Sequence, residues 1–291
     1  MHVTDAHVHL WRLADRPQPW IDPVAMAVIH RDFTEQDLTA AAAGAGVDEV
    51  VLVQVLNRED ETEDLLRRAA GCPLVSGVVG WVDLAAVDVE DRLDRLRGLA
   101  GGELLRGVRH QAQAEPDPGA WIGRPEVHRG MARLGAQGLV CDLMMRPAQL
   151  EPTTAAVRAL PQTTFVLDHA GKPPVAAGWH AEESRSWHAG IRRLARAPNA
   201  CCKLSGLTTT ADLERWTVED LRPFAEAVLE AFGSGRVLFG SDWPVSLRAG
   251  DHARTVTGVR ELLAPFGAEE AAAVLSRTAR RVYRLGDASA A

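Results

Sequence analysis

Two imidazoles stand at i and i+2 in Val3–Thr4–Asp5–Ala6–His7–Val8–His9–Leu10. Near the other terminus a lone carboxylate, Asp242, follows three apolar residues in Val237–Leu238–Phe239–Gly240–Ser241–Asp242–Trp243–Pro244. Side chains alternate across a strand, so His7 and His9 point the same way. Imidazole and carboxylate are ligands of Zn2+ at ~2.0–2.2 Å, and three protein ligands leave one position for water. A metal held in that way lowers its water's pKa to ~7, and Asp242 is placed to take the proton. With His169 as a further ligand or acid–base group, the residue types point to metal-assisted hydrolysis. An i, i+2 histidine pair is a weak signal alone. It gains weight only if the fold carries the first strand beside the last.

The elements that would do so repeat along the chain. Strands are expected over residues 2–8, 49–55, 74–81, 104–110, 138–143, 163–169, 200–205 and 236–239. Between them helices are expected near 34–44, 60–70, 88–99, 125–134, 152–160, 185–197 and 218–232, with closing helices over 253–263 and 269–283. Strands separated by helical patterns argue for parallel pairing through helical crossovers. Near-continuous Val and Leu runs fit strands buried on both faces. A closed (β/α)8 barrel accounts for eight such runs without leftover edges. The fallback, an open doubly wound sheet, lacks a Gly-rich phosphate turn after the first strand. No composition shift marks a second domain, so one barrel domain over residues 1–291 is expected. The Pro- and Trp-rich stretch Trp11–Asp32 is long for an internal connection and reads as a functional loop. Gly286–Ala291 reads as a frayed tail.

Composition narrows the function classes. The 291 residues are 46% hydrophobic, and 32 basic against 39 acidic residues leave a net charge of −7. No basic stripe appears, which argues against nucleic acid as a partner. No apolar run approaches the ~20 residues of a membrane helix. Cys72, Cys141, Cys201 and Cys202 lack C-x-x-C spacing and read as buried apolar residues. The chain opens on a strand and not on a basic-plus-apolar leader, so a cytoplasmic location is expected. A small-molecule substrate is expected, with the chain a monomer or a homodimer.

In an α/β barrel the chemistry sits at the C-terminal ends of the strands. The polar residues falling there are His7, His9, Gln54, Trp81, Asp83, Arg109, His110, Asp142, His169, Lys203, Ser205 and Asp242. One such residue is more often a satisfied loop partner than a catalyst. Leaving each buried and unpaired would cost about 1–3 kcal/mol, so this rim must be hydrated, ligated or hydrogen-bonded. Asp242 and His169 are the catalytic candidates; His7, His9 and Asp242 are the metal candidates. Arg109, His110, Lys172, Gln54 and Trp243 are the candidate substrate contacts. Arg109 has a plainer alternative, an ion pair with Asp142 or Asp83, and Lys203 reads as a structural partner inside the rim. Trp11, Trp20, Trp81 and Trp243 could stack on a sugar or simply fill the core and the loop.

Five blocks carry a resemblance over nearly the whole chain. They are Thr4–Asp5–Ala6–His7–Val8–His9–Leu10–Trp11, Gly107–Val108–Arg109–His110–Gln111, Leu167–Asp168–His169–Ala170–Gly171–Lys172–Pro173–Pro174, Cys202–Lys203–Leu204–Ser205–Gly206–Leu207 and Leu238–Phe239–Gly240–Ser241–Asp242–Trp243–Pro244. Together they resemble the amidohydrolase superfamily, in the branch of the sugar-acid lactonases. The resemblance implies a (β/α)8 barrel that opens a cyclic ester, with His7 and His9 the first-strand pair, His169 after the sixth strand and Asp242 the eighth-strand general base. Many superfamily members bridge two metals with a modified lysine on a middle strand; Leu139–Val140–Cys141–Asp142–Leu143 has none, so a two-metal site is not expected. Some lactonases of the branch work without metal. Two mechanisms therefore stand open. In one, a single divalent ion (Zn2+) on His7, His9 and either Asp242 or His169 activates water. In the other, Asp242 deprotonates water unaided, and Arg109 with His169 or Lys172 stabilises the oxyanion. The alternatives in function are a metal-dependent decarboxylase of aromatic or muconic acids on the same barrel, and a barrel that binds a sugar acid without catalysis.

Overall fold

The computed structural model describes residues 1–286; the expected tail lies, apart from Gly286, outside the described residues. Eight strands form one parallel sheet in the order of the chain: β1 Thr4–Val8, β2 Glu49–Val53, β3 Val75–Gly80, β4 Leu105–His110, β5 Val140–Leu143, β6 Phe165–Leu167, β7 Ala200–Leu204 and β8 Val237–Phe239. The ring is joined just past the ends of β8 and β1. There Val8 bridges Trp243 in parallel, Asp242 N donates to His7 O at 2.9 Å, and His9 N donates to Trp243 O at 2.8 Å. The backbone that closes the (β/α)8 barrel is therefore the backbone that carries His7, His9 and Asp242.

The helices between strands form the outer layer. Each buries an apolar stripe, such as Val89, Leu93 and Leu96 in Val89–Arg97, or Trp187, Ile191 and Leu194 in Glu182–Ala195. Glu35–Ala45 and Val218–Phe232 start on capping boxes, Thr34 with Asp37 and Thr217 with Asp220, which satisfy backbone N–H groups otherwise left without partners. One apolar cluster lies between sheet and helices. A second fills the barrel interior, where Ala6, Val51, Val53, Val79, Val140, Val166 and Leu238 meet Val282, Tyr283 and Leu285 of the C-terminal segment.

The expected strands run longer than those observed, most clearly at β6. The run to His169 stops at Leu167 because His169 and Ala170 take left-handed φ values of 53° and 50°. The closing helix expected over 269–283 is broken into Ala268–Ala272 and Thr278–Val282 around a wide turn at Ala273–Arg277. That turn sets Ser276 Oγ 2.9 Å from Thr4 Oγ1 at the start of β1. The segment thus covers the N-terminal end of the barrel and leaves the other end open.

The loop after β1 is tied at its neck. Trp11 and Phe33 exchange backbone hydrogen bonds, and Trp11 Nε1 donates to Arg31 O at 2.8 Å. A long surface loop with joined ends behaves as a packed unit and not as a free strand of chain.

Candidate active site

The site is built on the closure between β1 and β8. Asp5 on β1 accepts from Ser241 N at 2.8 Å through one oxygen and meets His252 Nε2 at 3.0 Å through the other. This pins the turn that follows β8 to the first strand. Gly240 is required there: a Cβ at that position would stand 2.7 Å from His7 Cβ. Asp242 next adopts φ 62°, a conformation that costs a non-glycine residue about 1–3 kcal/mol and clusters at functional sites.

Asp242 Oδ1 then lies 3.4 Å from His9 Nε2 and 3.9 Å from His7 Nε2. His9 Nδ1 is 2.7 Å from Val53 O, so Nδ1 carries the proton and Nε2 offers its lone pair toward Asp242. His7 is fully buried behind this pair, between Arg109 Nη1 at 3.2 Å and Lys203 Nζ at 3.3 Å. Asp168 Oδ1 is 3.4 Å from His7 Nδ1. Burial pushes the pKa of His7 well below its ordinary value. Burial alone would raise the Asp242 carboxyl; the surrounding histidines, His169 first and then His9 and His7, outweigh it and hold the group well below the carboxylate range.

The turn after β6 supplies the opposite side. His169, Ala170 and Lys172 are all left-handed there, at φ 53°, 50° and 55°. Ser205 holds the turn from β7: its Oγ accepts from His169 N at 3.2 Å and meets His169 Nδ1 at 3.0 Å. Gly206 leaves room for the ring, since a Cβ there would sit 2.8 Å from His169 Nδ1. Burial pushes His169 down to about 4, so its imidazole is neutral at neutral pH. With Ser205 on Nδ1, Nε2 is the nitrogen left for a ligand. Lys172 Nζ donates to Gln113 Oε1 at 2.8 Å, and burial brings it down to about 8.

These groups open into one cavity of about 560 Å³, lined by His9, Arg109, His169, Lys172 and Asp242. Of the other residues expected to touch substrate, Gln54, His110 and Trp243 are not among those lining it. Gln54 is fully buried; its Nε2 donates to Arg109 O at 2.9 Å and its backbone carbonyl accepts from Arg109 Nη2. His110 is taken up by Trp81, Glu115 and a stacked Trp121 at 4.0 Å. Trp243 is 2% exposed and packs edge-on against Phe33. Of the four rim tryptophans only Trp20, on the long loop, faces the cavity. The ion pair of Arg109 is with Asp168 at 3.0 Å, not with Asp142 or Asp83. Sequence reasoning missed Asn57, Gln113, Arg146 and Arg248 on the cavity wall, because loop residues carry no strand-end register. It also missed Asp168, Asp5 and His252. For Asp168 the signal in the sequence is the Asp-His pair before Gly171–Lys172–Pro173.

Among the described residues, two groups of side chains have the donor types of a metal site, with ligand atoms within 4.8 Å of one another: His7, His9 and Asp242, and His7, Asp168 and His169. The first fits an ion, since His9 offers a lone pair and Asp242 a carboxylate. The second is already neutralised, because Asp168 faces Lys203 Nζ and Arg109 Nη1, each at 3.0 Å. No helix among the described residues is long and apolar enough to cross a membrane.

A family model described as amidohydrolase matches residues 4–285. The chain belongs to the amidohydrolase family. Within that family it is 38% identical over 250 residues to an L-fucono-1,5-lactonase of Burkholderia ambifaria, covering 84% of this chain and 81% of the relative. It is 36% identical over 287 residues to an L-fucono-1,5-lactonase of Burkholderia multivorans, covering 97% and 95%. The crystal structure of a Burkholderia multivorans amidohydrolase with bound zinc superposes with a TM-score of 0.89 at 36% identity, covering 98% of this chain and 100% of that one.

Proposed function

We propose that this amidohydrolase opens the ring ester of a sugar-acid lactone, as the Burkholderia lactonases that match most of its length do by name. The observation that carries the reading is convergence: Asp242 reaches the cavity beside His9 and faces Arg109, His169 and Lys172 across it. Asp242, ionised throughout the neutral range, takes a proton from a water attacking the acyl carbon. The carbonyl oxygen gains charge, and Arg109 with His169 Nε2–H donates to it, under the field of Lys172. Collapse breaks the bond to the ring oxygen, and protonated Asp242 returns its proton to that alkoxide. A carboxylic acid and a hydroxyl result, the acid gives its proton to solvent as it ionises, and the enzyme is restored. The depressed pKa makes Asp242 a weak base. A lactone, with a strained or activated acyl group, asks less of its base than an amide does.

His9, Asp242 and His7 would hold a divalent ion such as the zinc of the Burkholderia multivorans structure. When bound, it would supply a water acidified toward ~7. The ion would compete with Arg109 for His7, whose Nε2 already faces Arg109 Nη1 at 3.2 Å.

The decarboxylase alternative is not favoured, since the relatives that cover most of the chain are lactonases. The test is acid release from L-fucono-1,5-lactone followed with a pH indicator, for the parent and for Asp242→Asn. General-base loss lowers kcat by about 10²–10⁴-fold while the fold, read by circular dichroism, is kept. An Asp242→Asn protein as active as the parent sinks the assignment. Repeating the assay on chelator-treated protein, with its metal content measured, separates the two mechanisms.

A further inference from the structure

The cavity wall carries four cationic side chains, Arg109, Arg146, Lys172 and Arg248, against one carboxylate, Asp242. The chain as a whole has a net charge of −7, so this positive wall is a local feature and not a reflection of composition. Arg109 is balanced by Asp168 at 3.0 Å. The other three are not. Lys172 donates to the neutral Gln113 amide. Arg146 and Arg248 make no ion pair with any carboxylate among the described residues, and Arg248 Nε is buried without a hydrogen-bond partner.

Elsewhere arginines near a carboxylate are ion-paired, while others, such as Arg236 and Arg254, bind backbone carbonyls. Arg92 meets Glu59 and Asp88, Arg95 meets Glu59 and Glu63, and Arg68 meets Glu35 and Asp64. Cations left without partners around a cavity repel one another, and low-dielectric walls strengthen that field. The position of Lys172 registers it: after burial and the opposing pull of Asp242, the charges of Arg146 and Arg109 push its pKa down. An anion entering the cavity removes the repulsion. A neutral aldonolactone cannot do so, because its only acyl group is tied up in the ring ester and the rest of it is hydroxyl. The mechanism above assigns the oxyanion to Arg109, His169 and Lys172, and Arg146 and Arg248 are the cationic side chains of the cavity wall it leaves unused.

We propose that the lactone turned over here carries a free carboxylate outside its ring, and that Arg248, with Arg146 and Lys172 adding to the field, holds it. Guanidinium groups suit this task because their paired N–H donors match the two oxygens of a carboxylate. The proposal rests on the lactonase reading and narrows its substrate class to the monolactones of sugar diacids.

The experiment compares two lactones of the same ring size and stereochemistry, one ending in a carboxylate and one in a hydroxymethyl group. Hydrogen bonds to a charged group are worth enough that kcat/KM for the acid lactone exceeds that for the neutral one by about tenfold or more. Arg248→Gln narrows this ratio, chiefly by raising KM for the acid lactone, and added salt narrows it in the parent. Arg146→Gln, at an exposed side chain, is the second variant and narrows the ratio in the same direction. Equal efficiency on both lactones, or an Arg248→Gln loss of the same size on both, overturns this proposal and leaves lactone hydrolysis standing. No turnover of either lactone, with folded protein, removes the lactonase reading and this proposal with it.

Discussion

Two lysines at the same end of the barrel, Lys203 on β7 and Lys172 after β6, are used in opposite ways. Lys203 is fully buried between Asp142 Oδ2 at 2.6 Å and Asp168 Oδ1 at 3.0 Å. Asp142 is held in turn by Tyr283, whose hydroxyl donates to it at 2.8 Å. Burial pushes the Asp142 carboxyl up and Lys203 pulls it back. Asp168 feels the same burial, but Lys203, His7 and Arg109 hold it well below the carboxylate range. Every charge in that inner set has an opposite charge in contact. Lys172 has an amide for a partner, a cavity in front of it and a lowered pKa. The inner set is closed and balanced; the outer set is open and carries excess positive charge. The inner lysine therefore orients the site and the outer one acts on substrate. Depth along the strand, not residue type, separates the two roles.

The strongest way to break this contrast is to remove the charge at the centre of the inner set. Lys203→Met leaves Asp142 and Asp168 buried with less compensation. Breaking a buried pair in this way costs about 3–5 kcal/mol. Denaturant unfolding should show that loss as a lowered midpoint, and adding Asp142→Asn should restore part of it. A Lys203→Met protein within about 1 kcal/mol of the parent would mean that the buried carboxylates do not depend on Lys203 for compensation.

The matching change in the outer set should leave stability alone and reduce the rate. Lys172→Gln is expected to change unfolding by no more than about 0.5 kcal/mol. Loss of a charge that stabilises the oxyanion lowers kcat by about 10²-fold. The pH dependence gives a finer reading. Lys172 acts as the cation, and burial brings its pKa down to about 8, so kcat/KM falls as pH rises through that value. Lys172→Arg keeps the cation to higher pH and carries the falling limb upward with it. A limb that does not move places the titrating group elsewhere.

The sequence made the inner set and the closure easier to read than the outer wall. Strand runs with two-face burial were plain from Val50–Val53 or Val237–Phe239, and each strand end carried its polar residue on a known register. That is why the cavity positions of His9, Arg109, His169 and Asp242 are legible in the sequence. Gln54, His110 and Trp243 sat at equally good positions and still face elsewhere. What decided each was a neighbour far away in sequence: Arg109 for Gln54, Trp121 for His110, Phe33 for Trp243. Arg146 and Arg248 lie in loops, where no periodicity says which way a side chain points. The left-handed turn at His169–Lys172 contains two non-glycine residues before Gly171 that a strand pattern runs straight through, so the expected sixth strand was too long.

The smallest effect is expected at the tryptophan that belongs to neither set. Trp20 rides on the loop after β1, is 36% exposed, and has two fixed contacts: Nε1 donates to Gln18 Oε1 at 2.9 Å, and the ring meets Trp11 edge-on at 5.8 Å. Its exposed face closes one side of the cavity. The neck of the loop is secured by Trp11 and Phe33 and not by Trp20, so Trp20→Ala should leave the unfolding midpoint nearly unchanged. An aromatic contact of this kind contributes about 0.5–1.5 kcal/mol. Steady-state kinetics should therefore show KM raised by about 2- to 10-fold with kcat retained, the result expected of a face that touches lactone away from the reacting atoms. A fall in kcat at constant KM would instead assign Trp20 to the transition state, and would move the boundary between positioning and reacting groups out onto the loop.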